Sequence, residues 1–238
     1  MSNIKYKRIL LKLSGEALMG GNDFGIDPEV LKTVATEIVD LQKQGVEIGL
    51  VIGGGNIFRG AGLAQSGIDR TRADQMGMLA TVMNSLAMQD QCLKLGAECH
   101  VLSALTLDQA CEPYSAQRAR THLSKGRIVI MAAGSGNPYF TTDTAASLRA
   151  LEIHADLLLK GTKVDGVYDS DPNKNPNAIR YEKVSYKDAI AKELGVMDLT
   201  ALVLCRENAL TMQVYNLFEA GKLSAIISGQ SSGTIIED

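Results

Sequence analysis

The sequence lacks the residue clusters on which several familiar classes of enzyme depend. Its four cysteines are scattered without a C-x-x-C pair, and its three histidines are isolated from one another along 238 residues. A zinc site, a disulfide framework and a histidine-based catalytic triad are therefore all disfavoured. The chain itself is expected to contribute no set of metal ligands.

Three signatures of nucleotide-binding proteins are also missing. The chain contains no G-x-x-x-x-G-K-[ST], no G-x-G-x-x-G after its first predicted strand, and no H-R-D. The P-loop NTPases and the protein kinases are thereby excluded, and a dinucleotide-binding fold is disfavoured.

Charge and hydropathy exclude two kinds of partner. The net charge is -3 and the sequence has no basic stripe, so nucleic acid is not expected as the main partner. No apolar run is long enough to span a membrane, and the N-terminus has no apolar signal-peptide core. These features predict a cytoplasmic protein.

The composition also bounds the domain organisation. A content of 45% hydrophobic and 21% charged residues fits one domain, or two small lobes that share a core.

The order of the elements near the N-terminus predicts an α/β fold. Arg8 to Leu13 is an apolar run typical of a buried strand, and Asp27-Pro28-Glu29 is a helix start. Glu47 to Ile52 is predicted as the next strand and ends in a glycine loop. This order favours a parallel sheet with ligand-binding loops at the carboxyl ends of the strands. Further strands are predicted at 97–102, 127–132, 156–160, 211–215 and 234–236, and helices at 115–124, 144–153, 185–194, 199–208 and about 220–226.

A long helix from about Arg72 to Leu95 is predicted to have two apolar stripes. A helix that is apolar on two sides buries two sides, so one stripe would face the sheet and the other a second subunit. The alternative is that both stripes lie in the core of a single chain. The stripes are Met76, Leu79, Met83 and Leu86, and Met78, Val82, Met88 and Cys92.

Three glycine-rich loops follow three predicted strands. They are Ser14-Gly15, Gly53 to Asn56 and Gly134 to Asn137. Three such loops at equivalent strand ends indicate a cleft lined by backbone N–H groups, which suits a polyanion. The alternative is that they are three ordinary turns.

Charged residues beside these loops point to phosphoryl transfer. Lys12 lies inside an apolar strand, where an ammonium group directed at a phosphoryl group would explain its presence. Lys160 ends another predicted strand, while Arg59 and Asp74 follow the second glycine loop. Asp143, at the start of a predicted helix, is either an N-cap or the partner of a metal or a catalytic ammonium group. Phosphoryl transfer needs this combination of positioning and positive charge.

Six segments together resemble the bacterial uridylate kinases, a branch of the amino-acid-kinase family. The resemblance follows nearly the whole chain in order. It implies a three-layer αβα sandwich with a mainly parallel sheet, and ATP-dependent conversion of UMP to UDP in pyrimidine nucleotide biosynthesis. It also implies Mg²⁺ brought with ATP, and a homohexamer that is a trimer of dimers. The segments are KLSGEAL (12–18), GGGNIFRG (53–60), RADQMGMLATVMN (72–84), GSGNPYFTTDTAA (134–146), KVDGVYDSDP (163–172) and VMDLTA (196–201).

The same resemblance implies roles for individual residues. The lobe of about residues 1–160 would bind UMP, and that of about 161–238 would bind ATP. GTP would activate and UTP inhibit, with the segment Gly20, Gly21, Asn22, Asp23, Phe24 and Gly25 linked to GTP activation. The implied catalytic residues are Lys12, Asp143 and Arg59; the ATP-binding residues are Lys12, Leu13, Ser14, Gly15, Gly55, Arg59, Thr162, Tyr168 and Asp171; and the UMP-binding residues are Gly54, Asp74, Ser135, Gly136, Asn137, Pro138, Tyr139, Phe140, Thr141 and Thr142.

Two questions about function stay open at this stage. One rival is a kinase of the same fold with a carboxylate or carbamate acceptor, and another is a nucleotide-binding protein that has lost catalysis. Recognition of uracil is predicted to use the hydroxyls of Thr141 and Thr142, which can pair with N3–H and O4 of the base. The alternative is selection by bulk alone, through Tyr139 or Phe140.

Overall fold

The computed structural model describes residues 4–58 and 67–238, which form one mainly parallel sheet with helices on both sides. The strands are β1 (Arg8–Leu13), β2 (Glu47–Ile52), β3 (Cys99–Ser103), β4 (Glu112–Pro113), β5 (Ile128–Ala132), β6 (Leu157–Thr162), β7 (Lys183–Val184), β8 (Met212–Asn216) and β9 (Thr234–Ile236). The helices are α1 (Pro28–Lys43), α2 (Arg70–Lys94), α3 (Ala116–Leu123), α4 (Thr142–Glu152), α5 (Tyr186–Ala191), α6 (Leu199–Glu207) and α7 (Lys222–Ile227), with a 3₁₀-helix at Gly15–Met19.

The sheet places β1 at its centre. The strand order is β4-β3-β5-β2-β1-β6-β8-β9-β7, and β9 runs antiparallel to β8. Side chains of β1 alternate between the two faces, because successive residues of a strand point in opposite directions. Ile9 and Leu11 pack in the core that contains α1, α2 and α7, whereas Leu10 packs in the core of α3, α4, α5 and α6. The predicted three-layer αβα sandwich is thus confirmed.

Within residues 4–58 and 67–238, no helix combines the length and the apolar character that crossing a bilayer requires.

Most predicted elements lie within a few residues of the observed ones, with three differences. The segment predicted as a loop after β1 contains the 3₁₀-helix. The short edge strands β4 and β7 were not expected, because two residues each are too few to show a period. Strand β6 continues past residue 160 to Thr162, so the sheet is continuous across the predicted division between the lobes.

The two stripes of α2 lie in different environments. Met78, Val82, Met88 and Cys92 are buried, as predicted for the stripe that faces the sheet. On the other stripe, Met76, Leu79 and Met83 are 42%, 46% and 55% exposed. The alternative that both stripes belong to the core of a single chain is therefore wrong for these three residues.

Candidate active site

The carboxyl ends of β1 and β2 meet in a tightly packed pair of glycine loops. A Cβ atom on Gly15 would lie 2.4 Å from Asn56 Oδ1 and 2.6 Å from the carbonyl oxygen of Gly53, so only glycine fits there. Behind the loops, Asn84 Nδ2 donates to Gly53 O at 2.6 Å and to Asn56 Oδ1 at 2.7 Å. Asn56 in turn donates to Asn84 Oδ1 at 3.0 Å. These buried amides fix the backbone of the loop that follows β2.

Two lysines on adjacent strands converge on one carboxylate. Lys12 and Lys160 are register partners on β1 and β6, so their side chains lie side by side on the same face of the sheet. Lys12 Nζ lies 2.5 Å from Asp143 Oδ1, and Lys160 Nζ donates to Asp143 Oδ2 at 2.9 Å. Lys160 also donates to the carbonyl oxygen of Val196 at 2.5 Å. The structure thus brings together the predicted catalytic residues Lys12 and Asp143, and adds Lys160.

Burial and charge act in opposite directions on these groups. Burial alone would raise the pKa of Asp143, but the two ammonium groups outweigh it and hold the pKa below its ordinary value. Burial lowers the pKa of Lys160, and Asp143 opposes that effect. Asp143 is therefore a stably ionised carboxylate that holds two cations in place.

The start of α4 is capped by Thr141 and not by Asp143. The Thr141 hydroxyl accepts from the backbone N–H groups of Asp143 at 3.1 Å and Thr144 at 3.2 Å. The N-cap alternative for Asp143 is wrong, because that residue lies in the first turn of the helix with its carboxylate directed at the lysines. An acidic residue in the first turn is also favoured by the helix dipole.

Asp198 is a candidate site residue that the sequence did not reveal. Its carboxylate accepts from Thr144 Oγ1 at 2.8 Å and from Thr141 Oγ1, and it caps α6 by accepting from Ala201 N at 3.0 Å. It thereby ties the start of α4 to α6. The available signal was its place in VMDLTA, directly before a predicted helix, but its contacts with α4 depend on tertiary structure.

The first cleft contains most of the residues predicted for UMP. It encloses about 150 Å³ between the loop after β2, helix α2 and the loop before α4. Gly54 allows α2 to approach closely, because a Cβ atom there would lie 2.8 Å from Ala80 Cβ. Tyr139 N donates to Asp74 Oδ2 at 2.7 Å. Of the residues predicted for UMP or ATP, those that line this cleft are Gly54, Gly55, Asp74, Ser135, Phe140, Thr141 and Thr142, whereas Gly136, Asn137, Pro138 and Tyr139 lie in the same loop outside the lining.

The expectation that Thr141 pairs with uracil does not hold. Its hydroxyl accepts from two backbone N–H groups and donates its proton to Asp198, so it has nothing left for a base. Thr142 lines the cleft and stays the candidate for a polar contact with the base.

A second cleft lies beyond the end of β6 and contains two of the residues predicted for ATP. It encloses about 450 Å³ between the segment 164–173 and the turn 192–195, and its lining includes Tyr168 and Asp171. Thr162 lies outside the lining, with its hydroxyl donating to Val164 O at 2.7 Å. Asp171 accepts from Asn173 N at 3.0 Å, which stabilises the turn.

The predicted phosphate-side residues adjoin the lysines. Leu13 is fully buried, so only its backbone can reach a nucleotide, while Ser14 and Gly15 follow at the strand end. Arg59 lies outside the described residues.

The segment predicted for GTP activation contacts the loop after β2 directly. Gly25 N donates to Asn56 O at 2.9 Å, and Asn56 Nδ2 donates to Gly25 O at 2.9 Å. Phe24, in the same segment, is 69% exposed. A link between this segment and the loop after β2 therefore exists, and the regulatory role of Gly20 to Gly25 stays a prediction.

Two of the histidines are not isolated, contrary to expectation. His100 Nδ1 lies 2.7 Å from Glu112 Oε1, His122 Nε2 lies 3.2 Å from Glu112 Oε2, and the two rings stack at 3.9 Å. The edge strand β4 brings Glu112 beside β3, which the sequence did not predict. Arg127 Nη1 donates to His122 Nδ1 at 3.3 Å, so the proton on a neutral His122 is at Nε2 and faces Glu112. The ligand atoms of the three residues all lie within 4.8 Å of one another, a spacing that could hold a metal ion, so the expectation that the chain offers no such set does not hold for this cluster.

The fold and the site together define a class of kinases. The chain belongs to the amino acid kinase family, whose model it matches over residues 7–216. Uridylate kinase from Methylococcus capsulatus is 57% identical over 236 residues, with 99% of each chain covered. Uridylate kinase from Xanthomonas oryzae pv. oryzae is 55% identical over 237 residues, covering 100% of this chain and 99% of that one. The crystal structure of UMP kinase from Bacillus anthracis superposes with a TM-score of 0.95 at 40% identity, covering 98% of this chain and 96% of that one. Within its family, the chain therefore groups with the uridylate kinases.

Proposed function

We propose that this chain is a uridylate kinase that transfers the γ-phosphoryl group of ATP to UMP, giving UDP and ADP, in pyrimidine nucleotide biosynthesis in the cytoplasm. The observation that carries the proposal is the Lys12–Asp143–Lys160 cluster at the ends of β1 and β6. The cluster supplies positive charge where three glycine loops converge, as phosphoryl transfer requires. An intact cluster also disfavours the rival of a binder that has lost catalysis.

UMP occupies the first cleft and ATP the second. Gly54, Asp74 and the loop before α4 hold UMP, with the Asp74 carboxylate accepting from the ribose. Tyr168 and Asp171 lie on the adenosine side, with Thr162 nearby. The ATP phosphates lie over Lys12 to Gly15, with Gly55 and Arg59 on the phosphate side. The support is that Thr142 of the first cleft precedes Asp143, and that Gly195 of the second precedes Val196, whose carbonyl oxygen accepts from Lys160. The proposed catalytic set is Lys12, Asp143 and Arg59, with Lys160 added.

The reaction needs no general base from the chain. The phosphate of UMP has a second pKa near 6, so its attacking oxygen is already ionised at neutral pH. Lys12 and Lys160 neutralise the charge that develops on the transferred group. Asp143, with a lowered pKa, keeps the two ammonium groups apart and correctly placed. Its role is electrostatic, and it does not accept the proton.

The residues fit an Mg²⁺ ion that enters with ATP. Mg²⁺ binds one or two carboxylates together with substrate phosphates, more often than an all-protein cage. Asp143 Oδ1 is buried beside the Lys12 ammonium group at 2.5 Å, and as a carboxylate oxygen it has a second lone pair that could accept such an ion. Bound Mg²⁺ neutralises phosphate charge and orients the triphosphate. We expect activity to vanish with EDTA and to return with Mg²⁺.

The assembly is a homohexamer built as a trimer of dimers, with GTP and UTP as effectors. The exposed stripe of Met76, Leu79 and Met83 supports a subunit interface on α2, because a long apolar face is seldom left in water. Light scattering at micromolar protein should give a mass several times 25.5 kDa. A clean monomer would exclude this interface.

Activation by GTP and inhibition by UTP are tested by adding each nucleotide to the ADP-release assay with UMP as the acceptor.

The experiment that tests the function compares acceptors. ADP release from Mg-ATP is measured with UMP, CMP, dUMP, acetylglutamate and carbamate. We expect UMP to exceed CMP in kcat/KM by about 10- to 10²-fold, because Thr142 remains as a polar contact and one mispaired group in a dry pocket costs roughly 1–3 kcal/mol. CMP within about tenfold of UMP would leave only bulk as the basis of selection. Preference for acetylglutamate or carbamate would establish the rival kinase.

A further inference from the structure

A buried arginine lies behind the glycine loop of the first cleft. Arg149, near the end of α4, is 4% exposed. Its Nη2 donates to the carbonyl oxygen of Gly134 at 3.0 Å, and its Nη1 donates to Glu152 Oε2 at 2.7 Å. Its guanidinium carbon lies 3.8 Å from the centre of the Tyr114 ring, and the Tyr114 hydroxyl donates to the same Glu152 oxygen. Burying a charge is costly even when it is paired, so this placement calls for a reason beyond packing.

The loop that Arg149 contacts has an unusual backbone. Ala133 and Gly134 have φ values of 62° and 60°, in the left-handed region where an alanine is strained. Ala133 N donates to Thr81 Oγ1 at 2.9 Å, and Gly136 N donates to Ala133 O at 3.0 Å. Thr81 on α2 and Arg149 on α4 therefore hold the loop from opposite sides.

The contact with Arg149 sets the direction of one peptide group. In a trans peptide, the carbonyl and the following N–H point in opposite directions. Because Gly134 O is directed at Arg149, Ser135 N–H is directed away from it. Gly134 and Ser135 both line the first cleft, and Ser135 N–H has no hydrogen-bond partner in the part of the chain that the structure describes. A backbone donor of this kind suits a phosphate or a uracil oxygen.

We propose that Arg149 is a positioning residue for UMP: by holding Gly134 O, it directs Ser135 N–H into the cleft, where UMP accepts from it. This inference rests on the proposed uridylate kinase function and adds a residue that itself touches neither substrate. Tyr114 and Glu152 keep the guanidinium in place through the ring contact and the ion pair. Loss of Arg149 weakens binding of UMP and leaves binding of ATP unchanged, because the second cleft shares no residue with this network.

The test measures the two KM values separately in Arg149→Met. We expect KM for UMP to rise about tenfold or more, the effect of losing one well-placed hydrogen bond, with KM for ATP within about twofold. Arg120→Met is the matched control. Arg120 Nη1 also donates to Glu152, at the backbone carbonyl oxygen and at 2.6 Å, but it makes no hydrogen bond to the glycine loop. In Arg120→Met, the KM for UMP and the KM for ATP should therefore both stay within about twofold of the parent.

Circular dichroism and thermal unfolding check that the variants fold. If Arg149→Met does not fold, Arg149→Lys decides, because it keeps the charge but a single ammonium group cannot span Glu152 and Gly134. We expect that variant to raise KM for UMP severalfold without a matching change for ATP. Equal shifts in both KM values, or a KM for UMP within about twofold of the parent, would overturn the inference and leave Arg149 a structural residue. A parent chain without activity on UMP would instead overturn the proposed function, and the inference with it.

Discussion

The two clefts at the strand ends are built in different ways. The first adjoins a buried network in which Lys12, Lys160 and Asp143 are held by adjacent strands and by the capped start of α4. The second cleft is lined largely by turns, and the side chain of Asp171 in its lining is 45% exposed. Groups that stabilise a moving phosphoryl must be placed in advance, whereas groups that bind a nucleoside can adjust. We therefore expect substitutions near the lysine pair to affect turnover, and substitutions in the second cleft to affect only affinity.

The largest effect is expected for Asp143→Asn. Two partly buried ammonium groups lose their common carboxylate, so we expect kcat to fall by about 10³ and the free energy of unfolding to drop by roughly 3–5 kcal/mol. Because the folded-state pKa of Asp143 lies below its ordinary value of 3.8, its contribution to stability is present above that pH and is lost as pH falls through the lowered pKa. The difference between parent and variant should be constant from about pH 8 to 5 and should shrink below about pH 4.

Urea unfolding at several pH values, together with steady-state kinetics, makes this measurement. Asp40→Asn, on the exposed side of α1, is the control and should match the parent in both assays. A stability difference that grows as pH falls below about 4 would contradict the lowered pKa.

Lys12→Ala should rank next. The side chain ends beside Asp143, and its loss removes one preorganised donor, worth about 2.7–4 kcal/mol of transition-state stabilisation. We expect kcat to fall about 10²- to 10³-fold while the protein stays folded. Lys43→Ala, an exposed lysine on α1, serves as the control. Turnover of Lys12→Ala within about threefold of the parent would remove Lys12 from the catalytic set.

Asp198→Asn should have a moderate effect. Asparagine still caps α6, but its amide cannot accept from both Thr141 and Thr144 as the carboxylate does. We expect kcat to fall about tenfold through a looser start of α4, with roughly 1 kcal/mol lost in stability. Asp188→Asn, an exposed residue on α5, should change neither quantity. An unchanged kcat in Asp198→Asn would show that the cap contributes only to stability.

Tyr168→Phe should have the smallest effect. It removes one hydrogen bond, from the hydroxyl of Tyr168, which lines the second cleft, to Asp165 Oδ1 at 2.5 Å outside that lining. We expect KM for ATP to rise less than about threefold and kcat to stay the same. A large fall in kcat would mean that the second cleft is as tightly coupled to the chemistry as the first.

The sequence predicted the fold and the charged centre for local reasons. Strand β1 is a continuous apolar run, α1 begins with an Asp-Pro-Glu start, and a lysine within an apolar strand stands out without any structure. The edge strands, the contacts of Asp198, the Glu112–histidine cluster and the Arg149 network could not be predicted in this way. Each depends on residues from separate elements meeting in space, such as β4 beside β3 or α6 beside α4. The use of the Thr141 hydroxyl as a cap is a case in which a local role displaced an expected functional one.

The rate of the chemical step tests the contrast between the two clefts most directly. Rapid-quench measurement of a single turnover, with saturating Mg-ATP and UMP, compares Asp143→Asn and Tyr168→Phe with the parent chain. We expect phosphoryl transfer to slow by at least about 10² in Asp143→Asn and to be unchanged in Tyr168→Phe. Equal rates in Asp143→Asn and the parent, or equal slowing in the two variants, would contradict the contrast between the clefts.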